Sequence, residues 1–125
     1  MKLTNLQIYN HASALLEEFS PECDLKLPVR INFFLQKNIQ TLTTLGKEIE
    51  TARLTIVQQY GSLNEDGSSY TIPNDKVAVA SAELEELLTL EQDVVIRTFK
   101  LSDFDNVDLS YKQMNALMFM IEDEA

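Results

Sequence analysis

The chain has one cysteine, Cys23, and one histidine, His11, in 125 residues. A structural zinc site draws on four Cys or His ligands, so a single copy does not build one. A lone thiol excludes an intramolecular disulfide and fits a reducing compartment. Long apolar runs are also missing. No stretch approaches the roughly 18 apolar residues that cross a bilayer. The opening Met1-Lys2-Leu3-Thr4-Asn5-Leu6-Gln7 has no continuous apolar segment, so no signal peptide is expected. There is no Gly-rich phosphate loop, no Walker motif, no repeat and no low-complexity tract. These absences lead to the expectation of a cytoplasmic protein with no metal, no cofactor and no membrane partner.

Basic side chains are scarce. Ten Lys and Arg stand against 20 Asp and Glu, for a net charge of −10. Phosphates repel such a surface, so nonspecific nucleic-acid binding is not expected. The imbalance is uneven along the chain. Residues 1–60 hold six acidic and six basic side chains, whereas residues 61–125 hold fourteen and four. Hydrophobic types at 45% are ordinary for a globular chain. The length suits one domain, residues 1–125, able to bury roughly two-thirds of its unfolded surface.

Apolar spacing predicts a first helix over about 5–19, capped by Thr4. Its stripe is Leu6, Tyr9, Ala12, Leu16 and Phe19, widened by Ile8 and Leu15. Ser20 to Asp24 breaks the pattern, and Pro28 suits the first turn of a second helix. That helix is predicted over 29–59. Ile31, Leu35, Asn38, Leu42, Leu45, Ile49, Ala52 and Ile56 recur at 4-3-4-3-4-3-4, a coiled-coil-like heptad seam with one polar position. About 30 helical residues span some 45 Å. Part of the seam is therefore expected to pack inside the chain and part to meet a partner. Gly46 reads either as a close helix crossing or bend or as a surface glycine.

Gly61 is expected to stop this helix as a left-handed residue. Asp66-Gly67 predicts a turn within a small hairpin or loop over 62–73. A third helix follows from Asn74 or Asp75 to about 90, burying Val77, Ala80, Leu84, Leu87 and Leu88, with Glu83, Glu85 and Glu86 on the other side. Residues 94–99, Val-Val-Ile-Arg-Thr-Phe, form the best strand candidate, expected to pair with 63–72 or with another chain. Residues 101–109 are an acidic connector. Ser110 and Gln113 form a capping box for a last helix, with Met114, Leu117, Met118 and Ile121 on one side. The fold class is mainly α: a helical bundle-like domain with a long central helix and a small β hairpin or strand element.

Candidate chemistry is thin. Asp103, Asp105 and Asp108 suggest a calcium loop, but counting from Asp103 puts Val107 at position 5, Asp108 at position 6 and Met114 at position 12, where an EF-hand needs an oxygen ligand, Gly and Glu. A solvated acidic loop accounts for them. Glu22 and Asp24 raise the Cys23 thiol pKa instead of activating it. His11 has no identifiable catalytic partner. The carboxylate pairs Glu17/Glu18 and Glu83/Glu86 are what twenty acidic residues yield by chance. Asn38 is sharper: a buried polar seam residue fixes register and oligomer state, while an exposed or locally bonded Asn does neither. The Met114–Met120 segment reads as an adaptable binding face or as a core-facing helix.

Three groups of residues carry a resemblance: Leu3-Thr4-Asn5-Leu6-Gln7-Ile8-Tyr9; Ile49-Glu50-Thr51-Ala52-Arg53 with Gln59-Tyr60-Gly61; and Val107-Asp108-Leu109-Ser110 with Met118-Phe119-Met120-Ile121-Glu122. In these the chain resembles a family of small uncharacterised proteins from phages and prophages of Gram-positive bacteria. The resemblance brings no catalytic motif. It implies either a virion-assembly accessory or a small protein that inhibits a host factor, located in the host cytoplasm or on the virion. The expectation is thus a non-enzymatic protein acting by protein–protein contact. Its partner is a basic protein or a second copy. The candidate interaction residues are Asn38, Leu42, Leu45 and Ile49 on the seam, and Glu83, Glu86, Asp93, Asp103, Asp105 and Asp108 on the acidic half. The alternatives are an acidic inhibitor or DNA mimic and, last, a small enzyme using carboxylates near His11.

Overall fold

The computed structural model describes residues 1–20 and 25–122; the expectation for Cys23 with its neighbours Glu22 and Asp24 lies outside them. The chain is mainly α, built around one long helix. In order it runs β1 (Lys2–Thr4), α1 (Asn5–Glu18), α2 (Val29–Tyr60), β2 (Ser62–Leu63), β3 (Tyr70–Thr71), α3 (Asn74–Thr89), β4 (Glu91–Asp93), β5 (Phe99–Lys100), a 3-10 turn (Leu101–Phe104), α4 (Tyr111–Leu117), a second 3-10 turn (Met118–Met120) and β6 (Ile121–Glu122). Helices α1 and α3 pack on α2, and α4 packs on α1. Ile8, Leu15, Leu35, Leu42, Leu117 and Met120 are fully buried and join α1, α2, α4 and the turn after it in one core, against which the half-buried Leu88 of α3 packs.

Helix α1 starts where a capping box can form. The Gln7 N–H donates to Thr4 Oγ1 at 3.1 Å, and the Thr4 N–H donates to Gln7 Oε1 at 2.9 Å. This satisfies two N–H groups at a helix end that would otherwise lack partners. Its buried face is shifted from the expected stripe. Asn5, Ile8, Ala12 and Leu15 face inward, while Leu6, Tyr9 and Leu16 are exposed. The 5-8-12-15 set includes an asparagine, which the apolar pattern passed over. Asn5 is buried because its Nδ2 donates to the Leu87 carbonyl at 2.8 Å and its Oδ1 accepts from Gln92 Nε2 at 2.7 Å. It ties the start of α1 to the end of α3 and to β4.

Helix α2 follows its heptad seam closely. Ile31, Leu35, Asn38, Leu42 and Ile49 are buried; Leu45, Ala52 and Ile56 are half-buried. Gly46 sits buried at the crossing with α1, where an added Cβ would lie 3.8 Å from Ala12 Cβ. Gly61 ends the helix, but not as a left-handed residue: its φ and ψ are −112° and 170°. Glycine is needed there for closeness, since a Cβ would stand 2.8 Å from the Val57 carbonyl oxygen and 3.2 Å from that of Thr71. The hairpin β2–β3 pairs antiparallel around Asp66-Gly67, with Gly67 at φ +72°. Hydrogen bonds from Ser68 to its carboxylate hold Asp66 below its ordinary pKa.

Residues 94–99 do not make one strand, and they do not pair with 63–72. Strand β4 pairs antiparallel with β1, and β5 pairs parallel with β6. Between them the backbone is irregular. The Asn38 side chain takes the place of a strand neighbour there. Helix α3 is also shallower than expected. Ala80 is its buried residue, Leu84, Leu87 and Leu88 are half-buried, and Val77 is exposed. The Ser110–Gln113 capping box forms, but α4 is only seven residues long and passes into a 3-10 turn. Leu117 is buried as expected, but the change of pitch turns Met118 outward, and Ala116 and Met120 are buried in its place.

Candidate interaction surfaces

The structure places the seam residues inside the chain. Leu42 and Ile49 are core, Leu45 packs against it, and Asn38 is 2% exposed. The Asn38 amide grips the backbone of Arg97: Nδ2 donates to its carbonyl at 2.9 Å, and Oδ1 accepts its N–H at 3.0 Å. The polar seam position thus binds the loop after β4. Asn38, Leu42 and Ile49 are occupied by the chain's own fold and offer no surface to a partner, while the half-buried Leu45 lines a groove between α2 and β4.

The acidic candidates are divided among several elements. Glu83 on α3 is half-buried and accepts a hydrogen bond from the Tyr60 hydroxyl at 2.8 Å, which raises the pKa of that tyrosine. Glu86 is exposed on the same helix. Asp93 ends β4 opposite Lys2. Asp103 accepts from the Lys100 N–H at 2.9 Å within the first 3-10 turn. Asp105 and Asp108 are exposed in the connector. Among the described residues, no group of three or more His, Cys, Asp or Glu side chains could hold a metal ion.

The balanced charge of residues 1–60 leaves room for a local basic face without locating it, and the outward side of α2 carries one. Between residues 25 and 47 there are four cations, Lys26, Arg30, Lys37 and Lys47, and no acidic residue. Counting charge over all of residues 1–60 hid this local excess; a shorter window reveals it. Arg30, Phe33 and Lys37 follow the i, i+3, i+7 spacing of one helix face, and all three are exposed. Val29 beside them is 87% exposed and Phe33 54%. Two cations and two rings form a ladder. The Arg97 guanidinium stacks 3.8 Å from the Phe34 ring, Phe34 meets Phe33 edge-to-face at 5.3 Å, and Lys37 Nζ lies 5.2 Å from the Phe33 ring. Such cation–π contacts restrain long side chains that would otherwise sample many rotamers. Leu27, Val29, Phe33 and Lys37 line a shallow groove of about 490 Å³. Next to it, a second groove of about 510 Å³ between α2 and β4 brings Asp93 to the same side as Lys37.

His11 is half-buried and stacks on Phe119, with ring centroids 3.7 Å apart. Burial lowers its pKa from the ordinary 6.5. Glu17, Glu18 and Lys112 line the depression beside it. The arrangement clamps α4 and the C-terminal turn onto α1. The ion pair Arg53–Glu50 holds Glu50 below the usual carboxylate range where α2 runs beside α1; it is the one ion pair among the described residues.

No family model, curated protein or solved structure matches the chain. No helix among the described residues is long and apolar enough to cross a membrane.

Proposed function

We propose that this is a non-enzymatic accessory protein of a phage or prophage, acting by protein–protein contact in the host cytoplasm or during virion assembly. One observation carries the contact reading. The core satisfies itself internally, with no buried side-chain N or O left unpaired among the described residues, yet Val29, Phe33 and their flanking cations stand outside it. Large apolar side chains grouped with cations and set in a groove are the chemistry of a protein-binding surface. The phage setting rests on the sequence resemblance.

The test is affinity capture from a lysate of a Gram-positive host after prophage induction, comparing the wild type with Phe33→Asp. A discrete phage-encoded partner retained by the wild type and lost by the variant supports the proposal. Equal recovery from both, or capture of none, contradicts it. A second reading, an acidic inhibitor or DNA mimic, draws on the exposed Glu85, Glu86, Asp105 and Asp108. It requires a basic host protein whose binding weakens sharply with salt.

A further inference from the structure

We infer that the basic, aromatic face of α2 docks on the acidic outer face of α3 in a second copy of the chain. The inference rests on the protein-contact reading and names the partner for one of its surfaces.

The two faces match in chemistry. On α2, Arg30, Phe33 and Lys37 lie along one side, with Val29 adjoining and the Arg97–Phe34 stack behind. On α3, Asp75, Val79, Ala82 and Glu86 recur at 4-3-4 and are all exposed, with Glu85 beside them. Val79 is 42% exposed on a helix whose one cation is Lys76. Each face thus carries a large apolar side chain among charges, net positive on α2 and net negative on α3 despite Lys76. Small residues such as Ala82 let a neighbouring helix approach closely, which gives the Phe33 ring room to lie against Val79.

Charge decides the occupant. The chain carries −10 overall, so two copies repel unless a cationic face meets an acidic one. The basic face of α2 is the local exception to that repulsion, and α3 supplies carboxylates for it. A single helix-on-helix contact falls short of the roughly 800 Å² per partner of a standard stable complex. The association is therefore weak, concentration-dependent and salt-sensitive. At about 1 M salt the Debye length is near 3 Å, and the steering charges are screened.

The experiment uses the full chain and two charge-reversed variants. In one, Arg30→Glu and Lys37→Glu make both faces acidic. In the other, Glu85→Lys and Glu86→Lys make the α3 face basic. All four positions are exposed, and circular dichroism confirms the fold of each variant. Sedimentation velocity of the wild type from micromolar to millimolar protein should show association that vanishes at molar salt. Each variant alone should associate at least about tenfold more weakly. An equimolar mixture of the two variants should recover the association, because each reversed face now meets its opposite. A wild type that stays monomeric throughout overturns the inference, including when it still binds a polyanion such as heparin or captures a phage partner. Variants that associate like the wild type overturn it, as does a mixture that stays monomeric.

Discussion

The first half of α2 and the whole of α3 are both helices with a wet side, yet they are held in opposite ways. The first half of α2 buries Ile31, Leu35, Asn38, Ile39 and Leu42 and turns cations outward. Helix α3 buries Ala80 alone and turns carboxylates outward. One helix is the frame on which the other elements are hung. The other is tethered at its edges, by Tyr60 to Glu83 and by Asn5 to the Leu87 carbonyl. Deep burial leaves little freedom in what the inner face of α2 can be. Shallow burial leaves α3 free to spend its surface on charge.

The difference should appear first in core truncations. Leu42→Ala, at a fully buried site, is expected to cost about 2–5 kcal/mol; Leu84→Ala, at a half-buried site on α3, should cost well under half as much. Urea titrations measure both, and equal losses would abolish the contrast. Asn38→Ala comes next. It strips the Arg97 backbone of a donor and an acceptor and should cost about 1–3 kcal/mol. Hydrogen exchange should show the Arg97 amide losing protection in that variant. Smaller still is the stability effect of Glu85→Lys with Glu86→Lys, expected within about 0.5 kcal/mol because both sites are exposed. A large drop in melting temperature would mean that the α3 carboxylates hold the fold together.

The last prediction concerns pH. Well above pH 6.5, His11 is neutral in both the folded and unfolded chains. As pH falls below 6.5, the unfolded chain takes up the proton first, because burial lowers the folded pKa. Stability should therefore decline as pH drops through that range, and His11→Phe, which keeps a ring against Phe119, should lack that part of the decline. The urea midpoint followed across pH 6.5 in both proteins is the check. An unchanged slope in the variant would remove His11 from the account.

Much of the fold was legible because helices announce themselves by spacing. The heptad seam located α2 within a residue at each end, and the capping residues Thr4 and Ser110 marked two starts. What was illegible depended on contacts between distant segments. Asn5 and Asn38 are buried through partners 82 and 59 residues away, so their burial cannot be read from neighbours in the chain. The 94–99 segment has strand-forming side chains, but the Asn38 amide holds its Arg97 backbone and the 62–73 hairpin pairs with itself. Of the surface residues singled out by sequence, Glu86 lies on an outward face that the structure makes interesting. Leu42 and Ile49 do not, because a strong apolar seam marks what a chain hides more reliably than what it shows.

The most direct test of docking between the two helices is zero-length carbodiimide coupling in a mixture of isotopically heavy and light chains. Coupling joins a lysine to a carboxylate only where they touch, and peptides of mixed isotope come from two copies. The account predicts mixed-isotope peptides linking Lys37 to Glu85 or Glu86, lost at molar salt. Mixed peptides joining other surfaces, or none at all under conditions where light-only chains couple, would contradict it.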